Sequence, residues 1–267
     1  MLKFSLMKTV VIFTEKFGLN LYSLRDFIKT EDALCDTLEK LKEMGYSFVQ
    51  YSGAPFDAEM ILRATEKTGV PVVLTHVPMD RIIGDTEKLI DEHLSIGCRN
   101  IGLGAMPAKI IADRSELEKK IDELEAAAEK MAARGVKFFY HNHHMEFFKY
   151  GGKTVLETIA ERAPTVNFTL DTYWVQYGGA DILSVIEKLA GRIGCVHLKD
   201  YMIINNDGRF EPRFAPLGVG NMELNKIIPA MRAAGTEHFI VEQDNATELD
   251  DPFGEVKISA KYLKNFK

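Results

Sequence analysis

The 267-residue sequence is poor in the residues that build covalent or metal frameworks: it has three cysteines, Cys35, Cys98 and Cys195. They are odd in number, far apart and never in a C-x-x-C pair, which excludes a disulfide framework. They read as reduced, small apolar core residues. Cations are not in surplus either, with 33 Lys and Arg against 39 Asp and Glu and a formal charge of −6. A phosphate backbone needs an excess of basic side chains, so a nucleic-acid partner is disfavoured. No run reaches the roughly 18 consecutive apolar residues of a membrane helix. The opening "MLKFSLMKTVVIF" is not read as a secretion signal, because Lys8 interrupts its apolar run, Glu15 and Lys16 follow, and no small-residue cleavage site is present. The expectation is a cytoplasmic protein that neither spans a membrane nor grips nucleic acid, with a homo-oligomer left open. Also missing is a G-x-G-x-x-G loop between a first strand and helix, the usual mark of an open nucleotide-binding sheet.

What is present is one unit repeated. Short β-branched or aromatic runs stand at 17–24, 47–53, 70–78, 99–106, 136–143, 166–174, 193–201 and 238–245. Between them lie longer amphipathic stretches such as "EDALCDTLEKLKEMG" (31–45) and "RSELEKKIDELEAAAEKMAARG" (114–135), with apolar residues at three-and-four spacing and a glycine at the end. Alternation of this kind implies parallel strands joined by crossover helices. Eight repeats in this length fit a closed (β/α)₈ TIM barrel, one α/β domain over 1–267, better than an open doubly wound sheet.

In such a barrel the reacting groups gather where strands end, and the polar residues here are late in their runs. Tyr22, His76, His141 and His143, Asp171, His197 and Lys199, and Glu242 and Asp244 all close runs. Three of the seven histidines fall within the four positions 141–144. Side chains two apart on a strand share a face, so His141 pairs with His143, His197 with Lys199, and Glu242 with Asp244. One imidazole from strand five, a carboxylate from strand six, an imidazole from strand seven and a carboxylate from strand eight would make a two-nitrogen, two-oxygen site. That set suits one divalent ion of the manganese, cobalt, iron or zinc kind better than calcium, which prefers oxygen throughout. Each histidine taken alone could equally bond a loop carbonyl or sit satisfied in the core.

The phrases "LNLYSLRD", "YHNHHMEF", "LDTYW", "VHLKDY", "APLGVGNM" and "VEQDN", in this order, resemble the sugar phosphate isomerase/epimerase family, the xylose isomerase-like TIM barrels. The resemblance runs from about Gly18 to the C-terminus. It implies one divalent metal at the ends of strands five to eight and rearrangement of a sugar, sugar phosphate or polyol through a metal-stabilised enediolate. Carried over residue by residue, it implies Asp171, His197 and Glu242 as ligands. Strand five departs from the pattern, offering His141 where many sugar epimerases of the family have a glutamate. His141 is taken as the fourth ligand, with Glu146 and then His143 as competitors. Manganese is the first expectation for the ion, with cobalt, zinc, iron or magnesium as alternatives.

Catalytic roles are expected of Glu146 and Glu242, because a carboxylate free to touch substrate can exchange a proton. Tyr22, His76, His143, Trp174, Lys199 and Arg213 are expected to contact substrate. The first functional reading is a metal-dependent isomerase or epimerase. The second is a keto-sugar or inosose dehydratase, since both begin with loss of a proton beside a carbonyl. An endonuclease-IV-like nuclease ranks below them, as it needs more metal ligands and basic loops than these strand ends supply. The stretches 76–88 and 202–221, expected to border the substrate, carry no pattern that names it.

Overall fold

In the computed structural model, residues 16–266 are described, and the opening segment 1–13 lies outside them. Eight parallel strands close a barrel: β1 (Phe17–Asn20), β2 (Phe48–Tyr51), β3 (Val72–Val77), β4 (Asn100–Leu103), β5 (Lys137–His141), β6 (Asn167–Asp171), β7 (Cys195–Leu198) and β8 (His238–Val241). Each pairs with its neighbours in sequence, and β1 closes on β8 in the register Phe17↔Phe239 to Leu19↔Val241. All eight expected runs contain one of these strands.

Alternation along the strands sorts side chains into an outer and an inner set. Leu19, Val49, Tyr140, Leu170, Val196 and Val241 belong to the large core that joins the barrel to its helices, meeting Leu38, Ile61, Leu124, Ile159, Ile227 and Leu263. Inside the barrel, Phe48, Leu74, Phe139, Cys195 and Ile240 form a separate apolar cluster. Gly18 makes room for it, because a Cβ there would meet the Phe48 ring at 2.2 Å. Two residues further along the same strands stand Gln50, His76, His141, His197 and, just past β8, Glu242. The period of two thus stacks a polar layer directly on an apolar plug.

The helices follow from their caps and stripes. Glu31–Met44 starts at Thr30, whose side chain accepts from Ala33 N–H, and stops at Gly45 with φ 96°, a conformation that glycine adopts without steric cost. Arg114–Ala133 buries Leu117, Ile121, Leu124, Ala128 and Met131 and turns a Glu/Lys face to solvent. A hairpin of Asp200–Asn206 and Arg209–Ala215 leaves the barrel after β7. Asp200 anchors the loop that follows it, accepting from the backbone N–H groups of Gly218, Gly220 and Met222. Among the described residues no helix is long and apolar enough to cross a membrane. The three cysteines are free and buried.

Candidate metal centre

His141, Asp171, His197 and Glu242 converge at the C-terminal end of the barrel, each buried, with one ligand atom apiece lying within 4.8 Å of all the others. Strand position aims each side chain, and a partner behind it fixes the aim. His141 donates from Nδ1 to the carbonyl of Gly104 at 2.7 Å, which leaves Nε2 facing inward. His197 donates from Nε2 to Gln50 Oε1 at 2.7 Å, which leaves Nδ1 facing inward. Asp171 ends β6 and begins the helix Thr172–Tyr177. Its Oδ1 accepts from Trp174 N–H at 3.0 Å, and its Oδ2 points to the centre, 3.2 Å from His141 Nε2. Glu242 Oε1 accepts from Asn20 Nδ2 at 2.7 Å, and its Oε2 lies 2.9 Å from His197 Nδ1. Ser52 in turn donates to Asn20 Oδ1.

The inward nitrogens of His141 and His197 stand 3.1 Å apart. With both outward nitrogens donating to carbonyl oxygens, that pair can share one proton at most. The donor set therefore fits a divalent cation: two imidazole lone pairs and two carboxylate oxygens, each oriented from behind.

Without such a cation, Lys199 compensates the acids. Its buried ammonium lies 3.0 Å from Asp171 Oδ2, 3.1 Å from Glu242 Oε2 and 2.8 Å from Asp244 Oδ1. Burial alone would raise the Asp171 and Glu242 carboxyls, but Lys199 and the histidines outweigh it and hold both well below the usual carboxylate range. Burial alone would also depress His197, yet Glu242 and Asp171 push it up to about 9. Burial, then Glu242, pushes Asp244 up to about 6. Two cavity histidines are held neutral: burial, then the neighbouring His141, takes His143 down to about 3 and His76 well below its ordinary value.

A cavity of about 420 Å³ opens over the centre. Its lining includes Tyr22, His76, His143, Trp174 and Lys199, all five expected from sequence, with Ser52, Gly104 and Asp244 beside His141 and Glu242 of the cluster. Gln50, which bridges His197 and His76 through its two amide atoms, and Asn20, which holds Glu242, escaped the sequence reading. The available signal was their place in the period-two pattern, two residues beyond Phe48 and Gly18.

Two expected residues are not brought to the cavity. Glu146 is fully buried below it: the chain turns after His141 into a short 3₁₀ segment, His144–Phe147. There Glu146 accepts from Tyr140 Oη at 2.7 Å and from His143 N–H at 2.8 Å. Both oxygens are spent on structure, and burial raises its carboxyl above the ordinary range. Arg213 lies on the hairpin opposite Met202 and is exposed. His144 packs outside the cavity, tilted against Trp174 and edge-on to Tyr177.

A closed eight-stranded parallel barrel with a buried His/Asp/His/Glu cluster, able to hold a metal ion, at its C-terminal mouth defines a (β/α)₈ barrel protein. The chain belongs to the xylose isomerase-like TIM barrel family, whose model matches residues 38–266. It is similar to an inosose dehydratase of Geobacillus thermodenitrificans, 28% identical over 169 residues, covering 58% of this chain and 56% of that protein. The aligned stretch thus spans little more than half of that relative's length. Among solved structures it is similar to a sugar phosphate isomerase/epimerase from Parabacteroides distasonis, with a TM-score of 0.74 and 20% identity over 95% of this chain and 96% of that one. An L-ribulose 3-epimerase follows at 0.68 and 18%, covering 93% of both chains. A xylose isomerase-like protein from Mycobacterium smegmatis in complex with magnesium matches at 0.70 and 13%, over 95% and 96%. At these identities the three structures show the shared fold alone.

Proposed function

We propose that this chain is a divalent-metal-dependent isomerase or epimerase of a sugar or polyol, moving a proton on the carbon beside a carbonyl. The observation that carries the reading is the pair of inward nitrogens, His141 Nε2 and His197 Nδ1, each turned to the centre by a donor bond on its far side and each beside a carboxylate oxygen, so that a cation there would take the place of the proton that Glu242 and Asp171 hold on His197. His141, Asp171, His197 and Glu242 would hold the ion, manganese first, with cobalt, zinc, iron or magnesium as alternatives for a mixed nitrogen and oxygen set. A divalent ion bound there supplies Lewis-acid stabilisation of the negative charge that builds up as the proton leaves.

The chain's own side chains supply the rest. Glu242 is both a ligand and a cavity wall, and we assign the proton exchange to it. Asn20 fixes one of its oxygens and leaves the other directed at the centre. His143 and His76, held neutral, are suited to hydrogen-bond substrate hydroxyls without adding charge. Trp174 and Tyr22 offer aromatic walls for a sugar's C–H faces.

A second reading, dehydration of a keto-sugar or inosose, is favoured by the relative named inosose dehydratase; it starts with the same proton removal and ends in loss of water. Metal-loaded protein incubated in D₂O with a panel of keto-sugars and inososes, read by NMR, tests both. Deuterium on the carbon beside the carbonyl with no loss of water supports the isomerase, and water loss supports the dehydratase. Absence of exchange in every compound, with metal bound, overturns the proposal.

A further inference from the structure

The charge arrangement around the cavity bears on the kind of substrate it accepts. Among the described residues, two cations approach it, and both are committed. Lys199, 2% exposed, sits among Asp171, Glu242 and Asp244. If a divalent ion draws Asp171 and Glu242 to itself, Lys199 still keeps both oxygens of Asp244, at 2.8 and 3.0 Å. Arg25 at the rim donates to the carbonyls of Tyr22 and Asp244 and to Glu248 Oε1, and its guanidinium lies over the Tyr22 ring. Three carboxylates against one ammonium and one divalent ion leave the centre with no net charge. A phosphate or carboxylate brought into the cavity would face Glu242 and Asp244 with no unpaired donor cation to meet it. Hydroxyl groups fare differently. Tyr22, Ser52, His76 and His143 line the cavity, and the indole N–H of Trp174, itself buried in the wall, has no protein partner.

We infer that the substrate is an uncharged polyhydroxylated carbonyl compound, and that the pairing of Lys199 with Asp244 excludes phosphorylated and carboxylate-bearing analogues. The inference rests on the reading of this cavity as the substrate site. It goes further by choosing among sugars, sugar acids and sugar phosphates, which share the same reacting carbons. The discrimination arises from leaving an anion unpaired beside two fixed carboxylates, a penalty aimed at the wrong partner as well as a fit to the right one.

The test uses the full metal-loaded chain and three matched probes: a ketohexose, the same ketohexose with a terminal phosphate, and its counterpart with a terminal carboxylate. Equilibrium binding is measured by calorimetry and proton exchange by NMR in D₂O. The neutral sugar is expected to bind at least about 100-fold more tightly than either anion, as charge mismatches of this kind cost two or more decades. Asp244→Asn, which leaves Lys199 uncovered, is expected to narrow that ratio by about tenfold or more. Neutral binding without exchange would leave this inference standing and remove the proposed reaction. An anion binding as well as the neutral sugar, no binding by any probe, or a folded Asp244→Asn with an unchanged ratio would overturn the inference.

Discussion

Gln50 ties two histidines to one amide, and replacing it by leucine tests whether the orientation of His197 builds the centre. In Gln50→Leu the N–H of His197 Nε2 loses its acceptor at 2.7 Å, and His76 Nε2 loses a donor at 3.1 Å. The surroundings are dry, with both Gln50 and His197 at 0% exposure. Each buried group left unpaired costs about 1–3 kcal/mol, so the metal-free protein should lose roughly 2–6 kcal/mol. The ring of His197, no longer held by its far nitrogen, is free to turn or to change tautomer, and loss of such an outer partner typically weakens metal affinity by about 10–100-fold. Denaturant unfolding of the metal-free protein gives the first quantity, and calorimetric titration with Mn²⁺ and Co²⁺ gives the second. A Gln50→Leu protein that folds and binds either ion as tightly as the parent would refute the argument that Gln50 selects the coordinating nitrogen.

The parent should bind about one equivalent of divalent ion by elemental analysis, and His197→Ala should bind none under the same loading; Glu242→Gln should weaken binding and abolish proton exchange together. Glu146→Gln should keep the metal stoichiometry but lose about 1–3 kcal/mol of stability, because the amide oxygen can stay on His143 N–H only by turning the NH₂ toward Tyr140 Oη, whose buried hydroxyl then loses its acceptor; a loss of metal with unchanged stability would make it a ligand instead. His93 supplies a pH dependence. It is buried and neutral, donating from Nδ1 to Leu89 O, accepting from Thr75 Oγ1 and stacking on Phe56, and burial takes it from 6.5 to about 4. Its folded value lies below its unfolded one, so its contribution is full above pH 6.5 and falls between there and about pH 4. The loss is roughly 3 kcal/mol. Denaturant midpoints across that window should show this component in the parent and lack it in His93→Gln.

The barrel was legible because each apolar run ends in residues that would be costly at its middle. The inner pattern Phe139-x-His141, Cys195-x-His197 and Ile240-x-Glu242 is a strand's period of two written out directly, which pointed to imidazoles and carboxylates at the ends of strands five to eight, while the choice of Asp171, His197 and Glu242 among them was implied by the family resemblance. Gln50 and Asn20 obey the same pattern, but an amide on a strand carries no chemical signature, and only the partner across the barrel reveals its use. Glu146 misled for the opposite reason. It is a carboxylate five residues from His141, and its distance from the cavity is set by a 3₁₀ turn that folds it back onto Tyr140. Arg213 depends on a register that the turn decides. The turn itself left a readable mark, since Asp207 and Gly208, at φ 47° and 84°, are the Asp-Gly pair such hairpins favour, although the 202–221 stretch was read as patternless.

The apolar plug of Phe48, Leu74, Phe139, Cys195 and Ile240 also governs traffic. It closes the barrel beneath the polar layer, so that among the described residues the cavity opens at the mouth beside Tyr22, His143 and Trp174. On the proposed reading, an ion held by His141, Asp171, His197 and Glu242 would have to enter before a sugar lying over it, and substrate occupancy would then slow exchange of the ion with chelators without any lid or moving part.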